Sequence, residues 1–245
     1  MFSGKTILVT GGGSGIGAAA AASFARHGAN VAVCDISIEA ARRVSDEIGE
    51  KAIPIAVDVA SSASVAEMIA RIAKRFGRLD VAVNNAGIGG SGRLLADVPE
   101  DHFDRVIAVN LKGIWQCMRR EIPLMLESGG GAIVNTASAL GLIARPNSCE
   151  YIAAKHAVIG LTKAAAVEYS ARGIRVNAAC PGVIETPLIM DRVDSETAAA
   201  LTALHPIGRL GLAREVADAI VWLASTKASF VTGTAVPIDG GWTAN

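Results

Sequence analysis

The segment "TGGGSGIG", from Thr10 to Gly17, decides the fold because it places five glycines directly after the apolar run "KTILV". Glycine loses more backbone freedom on folding than any other residue, so such a cluster costs stability unless the backbone needs it. A strand-to-helix turn that holds a dinucleotide phosphate has that need. The common pattern is G-x-G-x-x-G, and here Ile16 stands where its third glycine belongs. The segment alone is therefore either a variant phosphate loop or a flexible turn.

Bulk composition excludes several classes of function. The 245 residues carry 23 basic and 23 acidic side chains without a basic stripe, so we expect no nucleic-acid partner. No apolar run reaches the ~18–20 residues of a membrane span, and "MFSGKT" leads straight into a strand without a signal peptide, which predicts a cytoplasmic protein with no membrane partner. The four cysteines form no C-x-x-C pair and are expected to be buried free thiols. His102 and His156 lack the spacing of metal ligands, so no catalytic metal is expected.

Apolar, strand-like runs alternate with helix-length segments along the whole chain. The predicted strands are 6–10, 30–35, 52–59, 79–87, 131–138, 174–180 and 234–241. The predicted helices are 15–27, 37–49, 62–76, 100–127, 149–171 and 212–225. Continuous β-branched runs suit strands that are covered on both faces. The alternation therefore predicts one α/β domain over residues 1–245, with a doubly wound, seven-stranded parallel sheet and helices on both faces.

Residues 183–211 break this alternation between the sixth strand and the last helix. In an open α/β sheet, ligands bind outside the carboxyl ends of the strands. A segment that leaves such an end is placed to cover a ligand, so we expect a substrate lid here. The alternative is a helical hairpin with no role in binding.

An acidic residue strengthens the interpretation of the glycine turn as a nucleotide site. The run "NVAVCD" ends in Asp35, 18 residues after Gly17. A carboxylate at the tip of the second strand accepts hydrogen bonds from an adenosine ribose hydroxyl and repels a 2′-phosphate. The next residue, Ile36, supplies no positive charge, so NAD is favoured over NADP. The alternative role for Asp35 is that of a helix N-cap, which Ser37 could fill equally well.

Tyr151 and Lys155 lie four residues apart, which puts both side chains on one face of a helix. An ammonium near a phenol favours the phenolate and lowers its pKa, so the pair is a candidate general acid and base. Ser138, predicted at the end of the fifth strand, could hydrogen-bond a substrate oxygen. Asn110 interrupts an apolar helical stretch, which indicates either a polar role in the interior or a satisfied core amide.

Together these residues resemble the classical short-chain dehydrogenase/reductase family over essentially the whole chain. The family's glycine motif, T-G-x-x-x-G-x-G, matches Thr10 to Gly17, which explains the departure from the common spacing. "NNAG" at 84–87 and "PGVIET" at 181–186 match two further motifs. Asn110, Ser138, Tyr151 and Lys155 match the family's catalytic tetrad in order and spacing. The resemblance implies a Rossmann fold and a homotetramer formed through helices 100–127 and 149–171.

The resemblance also implies roles for individual residues. Asn110 would hold a water in a proton relay, and Lys155 would bind the nicotinamide ribose beside Tyr151. The other cofactor-binding residues implied are Gly11, Ser14, Gly15, Ile16, Gly17, Asp35, Ile36, Asp58, Val59, Asn85, Ala86, Gly87, Pro181, Gly182, Ile184 and Thr186. A weaker resemblance, in "HPIGRLG" and "DGGWTA" among others, is to a branch that oxidises cyclic or secondary alcohols.

The expected activity is NAD-dependent interconversion of a secondary alcohol and its ketone, with Tyr151 as general acid/base. The predicted apolar pocket residues are Ile88, Leu140, Leu142, Val183, Leu188, Ile189 and Met190. The nearest cations, Arg93, Arg145 and Arg192, are expected to be solvated, so the substrate is expected to be uncharged. The alternatives are an NADPH-dependent ketoreductase of the 3-oxoacyl-carrier-protein type, a nucleotide-sensing module without chemistry and, more remotely, a serine hydrolase using Ser138.

Overall fold

A parallel sheet forms the centre of the computed structural model, which describes residues 1–191 and 194–244. The strands of this part of the chain are β1 (Thr6–Thr10), β2 (Asn30–Asp35), β3 (Ala52–Ala56), β4 (Val81–Asn84), β5 (Gly131–Thr136), β6 (Ile174–Pro181), β7 (Ile184–Glu185), β8 (Gly211–Leu212) and β9 (Ala235–Ile238). Seven of them pair in the order β3-β2-β1-β4-β5-β6-β9, all parallel, while β7 and β8 form a separate two-stranded sheet. The order reverses between β1 and β4, which creates a crevice at the carboxyl ends of the strands.

Helices cover both faces of this sheet. They are α1 (Gly15–Arg26), α2 (Ile38–Ile48), α3 (Ser62–Phe76), α4 (Glu100–Ile107), α5 (Gly113–Glu127), α6 (Cys149–Tyr169), α7 (Pro187–Met190), α8 (Ser195–Ala203) and α9 (Ala213–Ala224). Successive residues of a strand point to opposite faces, so Ile7 and Val9 pack with α1, α2 and α9, whereas Leu8 packs with α3, α5 and α6. The two cores confirm the predicted doubly wound, single-domain Rossmann fold.

Several predicted boundaries are wrong in instructive ways. The strand predicted over 79–87 ends at Asn84, because the next two residues hydrogen-bond the Thr10 side chain through their backbone N–H groups. The fifth strand ends at Thr136, so Ser138 lies beyond it and caps a short 3₁₀ turn. The helix predicted over 100–127 is divided by a π-helical segment at Ala108–Lys112. Such bulges are frequent at functional sites.

The segment 183–211 leaves and re-enters the domain at one place. Ile184–Glu185 pairs in parallel with Gly211–Leu212, so its two ends lie side by side. Between them the chain forms the helices α7 and α8. Residues 192 and 193 of this predicted lid, including Arg192, lie outside the described residues.

The described residues contain neither a membrane-spanning helix nor a cluster of metal ligands. Neither 1–191 nor 194–244 contains a helix that is both long and apolar enough to cross a membrane. Within the same ranges no three His, Cys, Asp or Glu side chains are grouped so that they could hold a metal ion. The cysteines are free thiols; Cys34, Cys117 and Cys180 are buried, whereas Cys149 is half-buried.

An acidic side chain is fully buried beneath the crevice. Glu121 on α5 accepts a hydrogen bond from Asn84 Nδ2 at 3.1 Å, and Asn84 also donates to Asn135 Oδ1 at 3.0 Å. Asn135 in turn donates to Thr162 on α6. This buried polar chain therefore links α5 to α6 through β4 and β5. Burial raises the pKa of Glu121 to about 8, although its hydrogen bond from Asn84 acts in the opposite direction.

Candidate active site

A cleft of about 680 Å³ lies at the carboxyl ends of the central strands. Most of the predicted cofactor residues line it. They are Gly11, Ser14, Gly15, Ile16, Asp35, Ile36, Asp58, Val59, Asn85, Ala86, Gly87, Tyr151, Lys155, Pro181, Gly182, Ile184 and Thr186. Ser138 lines the same cleft. Gly17 and Asn110 are the predicted site residues that do not line it, and both are buried behind its wall.

The glycine turn is held by close backbone contacts that exclude side chains. Gly11 has a φ of +61°, and a Cβ there would lie 2.9 Å from the Ala86 Cα atom. A Cβ on Gly17 would overlap the Gly11 carbonyl oxygen, so Gly17 allows helix α1 to pack on the turn rather than touching a ligand. The Thr10 hydroxyl accepts hydrogen bonds from the Asn85 N–H at 3.0 Å and the Ala86 N–H at 3.2 Å. These contacts fix the turn against the end of β4.

The amino end of α1 and the carboxylate of Asp35 lie on the same cleft wall. Ser14 is the N-cap of α1, and its side chain makes no capping hydrogen bond. The first N–H groups of such a helix have no intrahelical partner and attract anions. Asp35 accepts hydrogen bonds from the Gly13 N–H at 2.9 Å and the Ser37 N–H at 3.1 Å. Ser37, not Asp35, is the N-cap of α2. Asp35 therefore organises the glycine turn while lining the cleft.

Lys155 is placed by a hydrogen bond at the end of β5. Its side chain is buried, and its Nζ donates to the Thr136 carbonyl oxygen at 2.7 Å. The same Nζ lies 5.5 Å from the centre of the Tyr151 ring. Tyr151, one helical turn earlier on α6, is half-buried and reaches the cleft beside Ser138. The structure therefore brings together the hydroxyl, phenol and ammonium groups that the sequence predicted.

Burial sets the protonation of both α6 side chains. It raises the pKa of Tyr151, and the neighbouring Ser138 side chain acts in the opposite direction. It lowers the pKa of Lys155 to about 8, so the ammonium form still dominates at pH 7. Burial is the larger of these two effects on the Tyr151 pKa, and the expected lowering by the ammonium stays a prediction.

Asn110 lies in the π-helical segment Ala108–Lys112 and acts on the loop that follows β4. Its Oδ1 accepts from the Ile88 N–H and its Nδ2 donates to the Ile88 carbonyl oxygen, each at 2.8 Å. A Cβ on Gly87 would lie 3.2 Å from Asn110 Oδ1 and 3.8 Å from Lys155 Nζ. Each polar atom of this buried amide thus has a hydrogen-bond partner, and Gly87 lies between the amide and the Lys155 side chain.

Comparison with known proteins identifies this arrangement. A family model described as Enoyl-(Acyl carrier protein) reductase matches residues 11–243. A 2,5-dichloro-2,5-cyclohexadiene-1,4-diol dehydrogenase of Sphingobium indicum is 46% identical over 246 residues, which cover 99% of this chain and 98% of that protein. The chain belongs to the short-chain dehydrogenase/reductase family. As a member, it is an oxidoreductase that acts on alcohol CH–OH groups, and its family binds a nicotinamide cofactor.

Two further relatives match this chain over nearly their whole lengths. A cyclohexanol dehydrogenase of an Acinetobacter species is 46% identical over 245 residues, covering 99% of this chain and 96% of that protein. The crystal structure of a 3-ketoacyl-(acyl-carrier-protein) reductase from Brucella melitensis complexed with NADH superposes with a TM-score of 0.94 at 36% identity. That superposition covers 99% of this chain and 100% of the other.

The sequence located only part of the apolar wall of this dehydrogenase. Ile88, Leu188 and Ile189 line the cleft as predicted. The other four predicted pocket residues are not among its lining residues: Leu140, Leu142, Val183 and Met190. Leu140 and Leu142 belong to the turn capped by Ser138, which the strand prediction did not anticipate. Arg93 and Arg145 are also not on the wall.

Two charged residues at the site were missed. Arg105 on α4 lines the cleft, a position that is visible only once α4 is docked. Glu150, which precedes Tyr151, is fully buried and accepts a hydrogen bond from the Ser91 N–H, while His102 Nε2 lies 3.5 Å from its carboxylate. Glu150 thereby fixes the loop after β4 against the start of α6. A fully buried acid beside the phenol cannot be recognised from one sequence, since most glutamates on helices are exposed.

Proposed function

We propose that the chain is an NAD-dependent dehydrogenase that interconverts an uncharged secondary alcohol, of the cyclic class, and its ketone. The observation that carries this proposal is the convergence of Ser138, Tyr151 and Lys155 on one cleft with the glycine turn and Asp35. The relatives named as cyclohexanol and cyclohexadiene-diol dehydrogenases support the cyclic class.

The cleft fits a nicotinamide dinucleotide. Its wall contains the uncapped amino end of α1, which suits a pyrophosphate, and Gly11, whose positive φ and close contact with Ala86 shape the turn that leads to this end. Asp58 and Val59 would contact the adenine, with the Val59 carbonyl held by Gln116 Nε2 at 2.9 Å. Pro181, Gly182, Ile184 and Thr186 would hold the nicotinamide end, and Asn85, Ala86 and Gly87 would line the cofactor cleft.

In the proposed mechanism, the phenol oxygen of Tyr151 takes the proton of the substrate hydroxyl. When bound, the oxidised cofactor supplies the hydride acceptor and a positive charge that favours the phenolate. Tyr151 takes the proton of the substrate hydroxyl as the carbinol carbon gives up its hydride and the C–O bond becomes a carbonyl. Ser138 donates a hydrogen bond to that oxygen. Lys155, held by Thr136, keeps its ammonium beside the phenol. By the family resemblance, Asn110 would hold a water in a proton relay to Lys155.

Asp35 carries the preference for NAD. Its carboxylate lies on the cleft wall and is held by two backbone N–H groups, so it presents fixed negative charge there. A 2′-phosphate at this point would meet that charge without a compensating cation on the adjoining Ile36. The competing assignment is an NADPH-dependent ketoreductase of the 3-oxoacyl-carrier-protein type. The Brucella melitensis relative, named as such a reductase and complexed with NADH, has the same fold, so the fold does not separate the two assignments.

One set of initial rates tests this function. We expect NAD reduction, followed by NADH absorbance, with cyclic alcohols and diols, and slower reduction of NADP by at least tenfold. Hydroxysteroids, sugars and hydroxy acids serve as comparison substrates. Faster oxidation of NADPH with a β-ketoacyl thioester would instead support the ketoreductase. No reduction across the panel, with cofactor still bound, would support a binding module that performs no chemistry.

We also propose that the enzyme is a homotetramer assembled through the helices 100–127 and 149–171. Their outer surfaces expose large apolar side chains, with Trp115 42% and Val167 86% accessible, and Phe103 on α4 is 39% accessible. A protein contact would cover these exposed apolar side chains. Light scattering coupled to size-exclusion chromatography should give four times the chain mass of 25.1 kDa. Val167→Glu should shift the mass downward, and an unchanged single-chain mass in the unmodified enzyme would contradict the proposal.

A further inference from the structure

A second cavity, of about 350 Å³, adjoins the cleft behind the segment 183–211. Gly182 and Ile184 line both spaces, so the cavity shares a wall with the proposed nicotinamide site. His205 lines this second cavity beside Gly182 and is only 3% exposed. The proposed mechanism gives this buried imidazole no role.

Both ring nitrogens of His205 are hydrogen-bonded, and the partners fix its tautomer. The Val183 N–H lies 3.0 Å from Nε2, and because a backbone N–H can only donate, Nε2 must be an unprotonated acceptor. Nδ1 lies 2.9 Å from the Leu201 carbonyl oxygen in α8, which can only accept, so Nδ1 carries the proton. The arrangement therefore requires a neutral imidazole that joins α8 to the start of the lid segment.

The position of this ring is set closely by the turn it holds. A Cβ on Gly182 would lie 2.7 Å from His205 Nε2, so the turn contacts the ring edge. The Val183 carbonyl oxygen accepts a hydrogen bond from the Gly211 N–H at 3.0 Å. The Val183 N–H is thus linked through the imidazole to α8, and the Val183 carbonyl oxygen is linked to Gly211 at the far end of the lid segment. Displacing the ring would release the turn that carries Gly182.

The charged groups around the ring are already engaged. The Asp239 carboxylate accepts hydrogen bonds from the Gly241 and Thr243 N–H groups and from the Thr243 hydroxyl. Arg209 and Glu215, on the same cavity, form an ion pair at 2.7 Å. The Trp242 ring packs against the imidazole with centres 5.4 Å apart. A second proton on the imidazole would therefore add a buried charge and turn Nε2 into a donor that faces the Val183 N–H.

We propose that His205 is a positioning residue for the nicotinamide end of the site. As a neutral imidazole it fixes the Gly182–Val183 turn and α8 in one arrangement. Nε2 accepts from the Val183 N–H and Nδ1 donates to Leu201, so the ring holds the turn without itself lining the cleft. This inference rests on the proposed dinucleotide site and adds to it a residue that positions part of its wall.

Two amide variants separate the two ring nitrogens. His205→Gln puts an amide oxygen where Nε2 accepts from Val183. His205→Asn reaches only the position of Nδ1 and leaves the Val183 N–H without an acceptor. The dissociation constant of NAD is measured by calorimetry at pH 8 for the unmodified enzyme and both variants. His27→Gln, which changes an exposed histidine far from the cleft, is the control.

We expect His205→Gln and His27→Gln to bind NAD within about twofold of the unmodified enzyme, because both keep an acceptor for the Val183 N–H. His205→Asn should bind NAD about tenfold more weakly than His205→Gln. Circular dichroism shows whether each variant is folded. Equal dissociation constants for folded His205→Asn and folded His205→Gln would overturn the inference. If NAD fails to bind the unmodified enzyme and NADP binds instead, the proposed cofactor is wrong, and the same comparison measured with NADP still decides the role of His205.

Discussion

Tyr151→Phe should lower kcat by about 10²–10⁴-fold, because it removes the only oxygen on α6 that is placed to take the hydroxyl proton. The ring itself remains, so its packing in the cleft and its contact with Lys155 Nζ, 5.5 Å from the ring centre, are preserved. Cofactor affinity should therefore change by no more than about twofold, since general acid–base catalysis acts on the transition state rather than on binding. Steady-state rates together with calorimetry of NAD binding measure the two effects separately.

Tyr169→Phe is the matched control, because Tyr169 is the other tyrosine of the chain and ends the same helix. Its ring packs against Arg172 at the surface, far from the cleft. It should retain the rate of the unmodified enzyme. If Tyr151→Phe keeps more than a tenth of that rate, the phenol does not carry the proton transfer, and the assignment of Tyr151 as the general acid/base is wrong.

Glu121→Gln should make the protein more stable than the unmodified enzyme, by an amount that grows as the pH rises from 5 to 8. Burial raises the folded-state pKa of this carboxyl from 4.5 to about 8, so the folded protein holds a proton that the unfolded chain has lost. Protonated Glu121 therefore contributes to the free energy of unfolding of the unmodified enzyme. This contribution is fully present below pH 4.5 and is lost as the pH rises through 8. The loss amounts to about 1.4 kcal/mol per pH unit at most. Glutamine has the shape of the protonated acid and does not titrate.

Denaturant unfolding at pH 5, 6, 7 and 8 measures this difference directly. Glu127→Gln is the control, since Glu127 is an exposed residue near the end of the same helix. Its free energy of unfolding should follow that of the unmodified protein at every pH. If the Glu121→Gln curve also runs parallel to these two, the buried carboxyl is already ionised in the folded protein. The hydrogen bond from Asn84 would then stabilise the carboxylate by more than burial destabilises it.

Local sequence signals predicted the elements that depend on short-range chemistry. β1, β2 and α3 have the predicted bounds, because each combines a continuous apolar run or a regular period with a clear end, such as Gly77 after α3. The ends of β4 and β5 were overestimated, since residues beyond them are still apolar or small. What stops these strands is a tertiary contact, the hydrogen bonds from the turn at Thr10 in the first case.

The candidate site divides in the same way. Residue identity and spacing pointed to Ser138, Tyr151, Lys155 and the glycine turn, because their chemistry is unusual in those positions. The π-helical segment around Asn110 depends on two hydrogen bonds to Ile88, 22 residues away, and no local pattern encodes them. Glu150, Arg105 and His205 were missed for the same reason, as an ordinary residue type becomes distinctive only through its surroundings.

The sequence by itself determined the fold class, the order of the strands along the chain and the residues that define the family. These follow from periodicity, glycine chemistry and spacing, which act within a few residues. Only the tertiary structure decided that burial raises the pKa of Tyr151, that Gly17 serves packing, and that His205 is neutral. Each of these depends on which groups from distant parts of the chain exclude water from a site or fill its hydrogen bonds, and that environment exists only after the chain has folded.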